Sequence, residues 1–594
     1  MDEKPRWKQF QKLTFDKKRF SQRALKAEAV TKRHAHKFVL QRLRSLRDAR
    51  QHIASWLFIV GVLIGLVALQ MIWYQSGYKT VASVAGGTYG EAVNGPIETL
   101  NPLFATTSAE QSASYLIFSR LVDYDSSGKL RNDIAKKISL DDTQQIYTVE
   151  LREDAKWHDG VSLTADDIVF TVEAMKNPEV RSVMRNNWHE VNVKKIDKKT
   201  VQFLLPAPYA TFQHALTFAI LPKHILADVR PGALRENTFS VSPVGSGPFK
   251  IRLLQTVAGR EGQKIVHLNA WSDYYRGIPK IARFELHAYD KAESLLRALK
   301  SGDVNAAAGL AITDDLPKQF SVSDMPLGSG VYAIFNNSTP NLTDVAVRQA
   351  IQKITDTKLL RKKANVPELP LDLPFIPRQV GSEPLPSKPT ATLEEAGGLL
   401  DKAGWKLTNG VRTKDGKPLE LKIAAVKDPR YRLVADELAR QWQRVGITTK
   451  VELFDTSANQ QSFAQVVLQP RMYDVLVNEL VIGGDADVYA YWHSSQAQSL
   501  GYNFANYKSG VSDDTLASAR ARNDPVLRSK KYASFAQQWM HDAPAIGLFQ
   551  SSLRYAHTKT VQSTAPNAIM SSAVDRYTDV LYWTAERGQV YKTP

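Results

Sequence analysis

Residues 151–175 read LREDAKWHDGVSLTADDIVFTVEAM. The segment that leads into them, Ile146 to Leu151, alternates apolar and polar side chains with the period of a half-buried strand. Asp159-Gly160 then supplies a tight turn, because an Asp side chain accepts hydrogen bonds from nearby backbone N–H groups and Gly tolerates the bend. Thr164-Ala165-Asp166-Asp167 follows, with Thr at an N-cap and an acid at N3, the opening of a helix. Ile168, Val169, Val172 and Met175 give that helix an apolar face. Trp157-His158-Asp159 invites a His/Asp catalytic pair, but Gly160 argues for a structural turn instead. Strand, turn and helix in close succession place the chain in the α/β or α+β class.

Helices and strands alternate on both sides of this segment. Ala109 to Leu121 reads as a helix with Tyr115, Leu116, Phe118 and Leu121 apolar. Ala292 to Leu299 reads as another, stopped by Gly302. Arg348 falls on a helix after Asp344, the pattern of a structural ion pair. Pro367 to Pro389 holds seven of the 28 prolines, so it is neither a regular helix nor a central strand. Leu371, Leu373, Phe375 and Ile376 punctuate it, which favours a packed loop over a free linker. Gly86 to Gly90 lacks the Lys-Ser/Thr of a phosphate loop and is read as the entry to a strand. Gly245-Ser246-Gly247-Pro248 supplies a chain reversal, and Ser246 is not in a nucleophile elbow. In Gly483-Gly484-Asp485 the glycines let backbone amides approach a ligand beside a carboxylate, although a plain turn has the same composition.

The chain has 594 residues, 43% hydrophobic and 23% charged, with mean hydropathy −0.30. That length suggests two to four domains, and the hydropathy excludes a polytopic membrane protein. Cysteine is absent, which excludes a disulfide scaffold, a thiolate zinc site, a cysteine nucleophile and a lipidated N-terminal Cys. There is no HExxH, Walker A or DxDxDG pattern. The twelve His are scattered, and His34-Ala35-His36 alone makes no metal site. Members of a Ser/His/Asp triad can lie far apart in sequence, so an extracytoplasmic hydrolase stays as an alternative. Net charge is +17, of which +11 (16 basic, 5 acidic residues) lies in residues 1–52. The basic character belongs to this tail, and the body is not read as binding nucleic acid.

After the tail, Ile53 to Tyr74 reads IASWLFIVGVLIGLVALQMIWY, without a charge. About 20 such residues cross a hydrocarbon core of roughly 30 Å. Trp56 at one end and Trp73 with Tyr74 at the other suit the two interfaces. Residues 53–74 are therefore predicted to be a retained single-pass transmembrane anchor, longer than a signal peptide's apolar region, with a cytoplasmic N-terminus and an extracytoplasmic body. Within the tail, residues 24–49 read as a basic helix, suited to an anionic lipid surface or simply to fixing topology.

Several segments resemble the extracytoplasmic solute-binding proteins of the oligopeptide/dipeptide/nickel class, bacterial family 5, which serve ABC importers. Gly86-Gly87-Thr88 followed by Glu98-Thr99-Leu100-Asn101-Pro102 is similar to their opening strand and first loop. Ser119 to Asp125 is similar to their "gLl.yd" turn, and residues 151–170 to their strongest signature. Gly245-Ser246-Gly247-Pro248-Phe249 matches "GtGPy". Tyr332 to Asn337 with Val345 to Ile351, Leu399 to Trp405, and Gln441 to Ile447 match three further motifs in order.

The resemblance implies an α/β, two-lobed periplasmic-binding-protein-like fold with an extra inserted domain, preceded by one N-terminal transmembrane helix. Its boundaries would be a basic cytoplasmic tail 1–52, the anchor 53–74 and a linker 75–85. Lobe one would be 86–125 plus 241–330 plus 546–594, the inserted domain 126–240, and lobe two 331–545. The implied function is capture of a peptide or other small solute between the lobes by hinge closure, for ABC permease and ATPase subunits, by a monomer with no catalytic residue, metal or cofactor. A surface receptor or scaffold that kept the fold without transport is the alternative. Three segments would line the cleft. The first loop contributes Glu98 and Thr107, and the crossing Asn336 and Asn337. The loop after residue 481 contributes Gly483, Gly484, Asp485, Asp487 and Tyr489, with Trp492 as an aromatic wall. Peptide-binding members often carry "W..D..DPD" in lobe two, and its first Asp pairs with the peptide's α-ammonium. Here Asp485-Ala486-Asp487 fits the "DPD" end, which puts Ile482 at the ammonium position and Glu479 at the Trp position. A short gap would instead restore Asp485 to that role. Without the gap, free di- and tripeptides are not the preferred ligands; a longer peptide held by backbone bonds, or a non-peptide solute, is.

Overall fold

The computed structural model describes residues 25–26, 28–30, 32, 50–258, 263–311, 315–367, 369–455, 462–564 and 568–591. Most of the basic tail, with His34 and His36, lies outside the described residues; the positions described between 25 and 32 are helical. The chain divides into two compact units, Met1–Ala82 with Gly588–Pro594, and Ser83–Arg587.

In the first unit a continuous helix runs from Arg50 to Tyr78. Its apolar stretch His52–Tyr74 is 23 residues long, about 35 Å of helix. It has no buried face: Trp56, Phe58 and Trp73 are 68%, 73% and 77% exposed. The expected linker takes regular structure instead. Gln75 to Tyr78 continue the helix, and Lys79–Val84 is a strand paired with Glu586–Tyr591. Thr80, Val81 and Val84 are β-branched, which suits an extended ribbon. Gly588 to Tyr591 fall in this unit.

The second unit is organised by one ten-stranded sheet. Its order is Thr448–Phe454, Glu420–Val426, Val475–Val481, Phe320–Phe335, Ala545–Thr558, Ala306–Ala308, Thr88–Asn94, Arg283–Tyr289, Lys264–Ala270 and Phe249–Thr256. Phe320–Phe335 and Ala545–Thr558 are long antiparallel partners that run through both halves of the sheet. Their register breaks between Pro326 and Gly330 and again between Val331 and Tyr332. Pro326 has no N–H to donate, and such bulges bend and twist a ribbon. Before the break the ribbon borders Ala306–Ala308; beyond it, Val475–Val481. The sheet thus consists of two halves, each with its own core, joined by two bent strands.

The first half shares a core with a separate four-stranded antiparallel sheet, ordered Ala135–Leu140, Ile146–Leu151, Thr200–Leu204 and Asn192–Lys195. Helix Ala165–Lys176 covers that sheet, opened by the expected capping box of Thr164 and Asp167. The second half is covered on both faces. Val475 and Val477 point to a core with Val434, Leu438 and Trp442, while Leu476 and Leu480 point to one with Phe375, Trp492 and Trp539. The proline-rich segment packs into the latter through Leu371, Leu373, Phe375 and Ile376, as its apolar residues lead one to expect.

Two local expectations are corrected. The first helix is Ser108–Ile117, four residues shorter at its end than expected; Phe118 is extended, and Gly245 and Gly247 press against the Ile117 carbonyl. Arg348 is not bound to Asp344. Its guanidinium donates to the carbonyls of Leu342, Thr343 and Asp542, while Asp344 caps the helix by accepting from Ala346 N. The C-terminal segment is tied to the opening strand by a fully buried pair, Arg576 Nη2 to Glu91 Oε1 at 2.7 Å, with Tyr577 Oη donating to the same oxygen.

Candidate functional site

Where the chain leaves Val475–Val481 it forms a loop, Ile482 to Asp487, that meets four parts of the second unit at once. Ile482 N and Gly483 N both donate to Gly328 O, at 2.8 and 2.7 Å, pinning the loop to the crossing ribbon. Gln379 Nε2, from the proline-rich segment, donates to Gly483 O at 2.8 Å. Gly484 faces the first half: a Cβ there would lie 2.5 Å from Tyr124 Oη and 2.8 Å from Ser571 Oγ. Gly328 is as tight, since its Cβ would lie 2.6 Å from both Gly483 O and Ser571 O. Only glycine allows this approach of backbone to backbone.

The two acids of the loop are fully engaged. Asp485 takes a bidentate contact from Arg528, Nη2 to Oδ1 at 2.7 Å and Nη1 to Oδ2 at 3.1 Å, and also accepts from Asp487 N. Asp487 accepts from Arg520 Nε at 2.9 Å, from Tyr489 N and from Thr211 Oγ1. Burial opposes the charge on Arg528, but the hydrogen bonds to and the charge of Asp485, with Tyr532 beside it, together outweigh burial and raise the Arg528 pKa. His214 Nε2 stands 4.0 Å from Asp485, and its Nδ1 bonds Tyr124 Oη at 2.8 Å. Burial lowers the His214 pKa, and Asp485 only partly offsets this. The loop can thus offer backbone amides and carbonyls, aromatic edges and two neutralised ion pairs, but no unpaired carboxylate of its own.

Gly483, Gly484, Asp485, Asp487 and Tyr489 are brought together here. The other expected residues are not at this loop. Asn336 and Asn337 lie just past the end of Phe320–Phe335, whereas Gly328 is in its middle at the register break, roughly 25 Å back along the chain at about 3.3 Å per residue. Asn336 is buried, donating to the carbonyls of Arg471 and Tyr473 and accepting from Asn506 and Ser338 N, so its amide is spent inside the second half. Trp492 is core, not cleft wall: it is 1% exposed and packs against Tyr332 and Trp539. Thr107 caps Ser108–Ile117 and donates to Pro96 O. Glu98 is exposed and reaches Arg235 at 3.4 Å. The residues that complete the loop's surroundings, Tyr124, Thr211, His214, Arg520, Arg528 and Ser571, come from distant stretches and carry no local signal that would single them out.

The Trp157-His158-Asp159 turn is structural. His158 Nδ1 accepts from Gly245 N, its Nε2 bonds Gly247 O, and burial lowers its pKa to about 4. Among the described residues no cluster of His, Asp or Glu could hold a metal ion.

A sheet in two halves joined by two bent strands, with a loop enclosed where the halves meet, is the architecture of a two-lobed binding protein. The model for bacterial extracellular solute-binding proteins, family 5 (Middle), matches residues 129–506, and the chain belongs to that family. It is a solute-binding protein and not an enzyme. It is 29% identical over 471 residues to the oligopeptide-binding protein AppA of Bacillus subtilis (strain 168), covering 76% of this chain and 83% of AppA. It is 25% identical over 515 residues to the dipeptide-binding protein of Escherichia coli (strain K12), covering 80% and 91%. Among solved structures, AppA of B. subtilis in complex with a nonapeptide superposes with a TM-score of 0.67 at 24% identity, over 85% of this chain and 99% of that one. NikZ of Campylobacter jejuni, in complex with Ni(L-His), superposes with a TM-score of 0.68 at 25% identity, over 84% and 99%.

Proposed function

We propose that this chain is the membrane-anchored solute-binding component of an ABC importer. Residues 53–74 hold it in the cell membrane, with the N-terminus cytoplasmic and the body outside. Lobe one (86–125, 241–330 and 546–587) carries the inserted domain 126–240, and lobe two is 331–545. A monomer captures a peptide or related solute between the lobes by hinge closure, and the solute stabilises the closed state by touching both. The observation that carries this reading is the loop Ile482 to Asp487, which contacts the crossing ribbon, lobe one and the inserted domain together.

The bidentate Asp485–Arg528 contact supports a ligand other than a free di- or tripeptide. An α-ammonium brought to this loop would find both acids already neutralised, and burying it unpaired costs several kcal/mol. A longer peptide held by backbone bonds, or a non-peptide solute, fits better. Solubilised membranes of the source cells provide the test of the importer role. Permease and ATPase subunits should copurify with the chain; recovery without any transporter subunit would favour a receptor that has left transport.

A further inference from the structure

We propose that Arg520 is a positioning residue for solute capture: it latches the inserted domain onto lobe two, so that this domain, and not lobe one alone, takes part in closure. The proposal rests on the reading of capture by closure.

Arg520 ends helix Gly510–Arg520 and is oriented by its own lobe. Its Nε donates to Asp487 Oδ2 at 2.9 Å, and its guanidinium lies 4.3 Å from the centre of the Tyr489 ring. So fixed, it meets the inserted domain with both side chain and backbone. The guanidinium lies over the Tyr209 ring at 4.8 Å, and Arg520 O accepts from Ala210 N at 2.9 Å. Asp487 extends the contact to Thr211 Oγ1 at 3.4 Å. One lobe-two ion pair thus grips three successive residues of the inserted domain, Tyr209 to Thr211. Asn523 Nδ2 to Gln144 Oε1 at 2.8 Å adds a second point of attachment. Each of these contacts joins protein atom to protein atom, so the latch contributes to closure whatever solute is carried. The planar guanidinium is essential to it, because pairing edge-on with a carboxylate while presenting a face to a ring is beyond an ammonium.

The test uses the full chain in detergent, without added solute. The sequence has no cysteine, so spin labels can be placed uniquely at two exposed positions, Lys194→Cys on the inserted domain and Gln537→Cys on lobe two. Electron–electron resonance then gives the distance distribution between them. The expected result is a narrow distribution in the parent and a broader one with a longer component in Arg520→Ala and in Arg520→Lys. Tyr209→Ala, which leaves the Arg520–Asp487 pair intact, should do the same, and the Arg520→Ala/Tyr209→Ala double variant should add little to either. If Arg520→Ala fails to fold, Tyr209→Ala decides. Distributions in the variants that match the parent's overturn the proposal and leave the importer reading untouched, since no solute enters the measurement.

Discussion

Both carboxylate oxygens of Asp485 are held by a single guanidinium, that of Arg528, at 2.7 and 3.1 Å. The two residues are 43 positions apart, and their side chains are only 18% and 15% exposed. The pair neutralises Asp485 in the loop at which the two halves of the sheet meet.

Removing one partner should be worse than removing both. Arg528→Met leaves Asp485 partly buried without a counter-charge and should cost about 3 kcal/mol of stability in denaturant unfolding. Asp485→Asn/Arg528→Met should recover most of that loss. A double variant no more stable than the single would mean that the pair is not the unit it appears from its geometry.

The same pairing bears on ligand choice. A solute that binds the native state raises the melting temperature by mass action. Longer peptides should raise it equally with a free or an N-acetylated amino terminus, and free di- and tripeptides should raise it little. If short free-amine peptides stabilise strongly, and both acetylation and Asp485→Asn abolish the effect, Asp485 leaves Arg528 to meet the ammonium and the ligand assignment is wrong.

Gly484 tests the close approach of the lobes. A methyl group there would fall 2.5 Å from Tyr124 Oη and 2.7 Å from its ring. Gly484→Ala should keep the lobes apart and weaken solute binding tenfold or more, and Tyr124→Ala in the same chain should restore much of it. Solution scattering should show the single variant more extended than the parent under saturating peptide.

Asp575 should give stability a pH dependence. It is buried beside lobe one's contact with the loop, accepting from Ser571 N and Ser572 N, and burial is the main cause that raises its pKa to about 6. A carboxyl raised above its unfolded value of about 3.8 stabilises the fold while protonated, and that stability is lost as pH rises from about 4 through 6. Asp575→Asn should abolish this slope and be the more stable form at pH 7.5 by about 1–3 kcal/mol. Melting temperatures of the two proteins that run parallel from about pH 4.5 to about pH 7.5 would contradict the assignment.

What the sequence makes legible is local. The Thr164/Asp167 box, the Gly302 helix stop and the Asp159 turn, in which Val161 N donates to Asp159 Oδ1, each depend on a few adjacent residues. The packing of Leu371 to Ile376 follows from apolar side chains spaced through a stretch that cannot be regular. The site is only half legible. The glycines and acids of residues 483–487 announce a loop of unusual chemistry, but their partners are set by tertiary approach. Nothing near Asp485 names Arg528, and nothing near Tyr124 names His214, 90 residues away. Trp492 and Asn336 mislead for the opposite reason. An aromatic and an amide are the residue types of a binding cleft, yet they serve equally well as core and as a tie for buried carbonyls, and only the fold decides between these roles. Arg348 errs likewise, because the Asp344 side chain is taken up in capping its own helix at Ala346 N while three carbonyls converge on the guanidinium.

The anchor is tested by topology. Protease added to intact cells or spheroplasts should digest the body and leave a protected fragment of about 75–85 residues containing the tail and helix. A mature protein that begins near Gly86 would replace the anchor with a cleaved signal, and a tail digested from outside would reverse the orientation.

The central claim, that this chain captures a solute between its lobes, is tested most directly by mass spectrometry of what the gently purified full chain retains, released on denaturation. A defined small solute or peptide set is expected, absent from Gly484→Ala prepared in parallel, and able to raise the melting temperature when returned to stripped protein. Protein that retains nothing, and whose melting temperature no peptide pool shifts at about 100 times the concentration that saturates a micromolar site, would contradict capture.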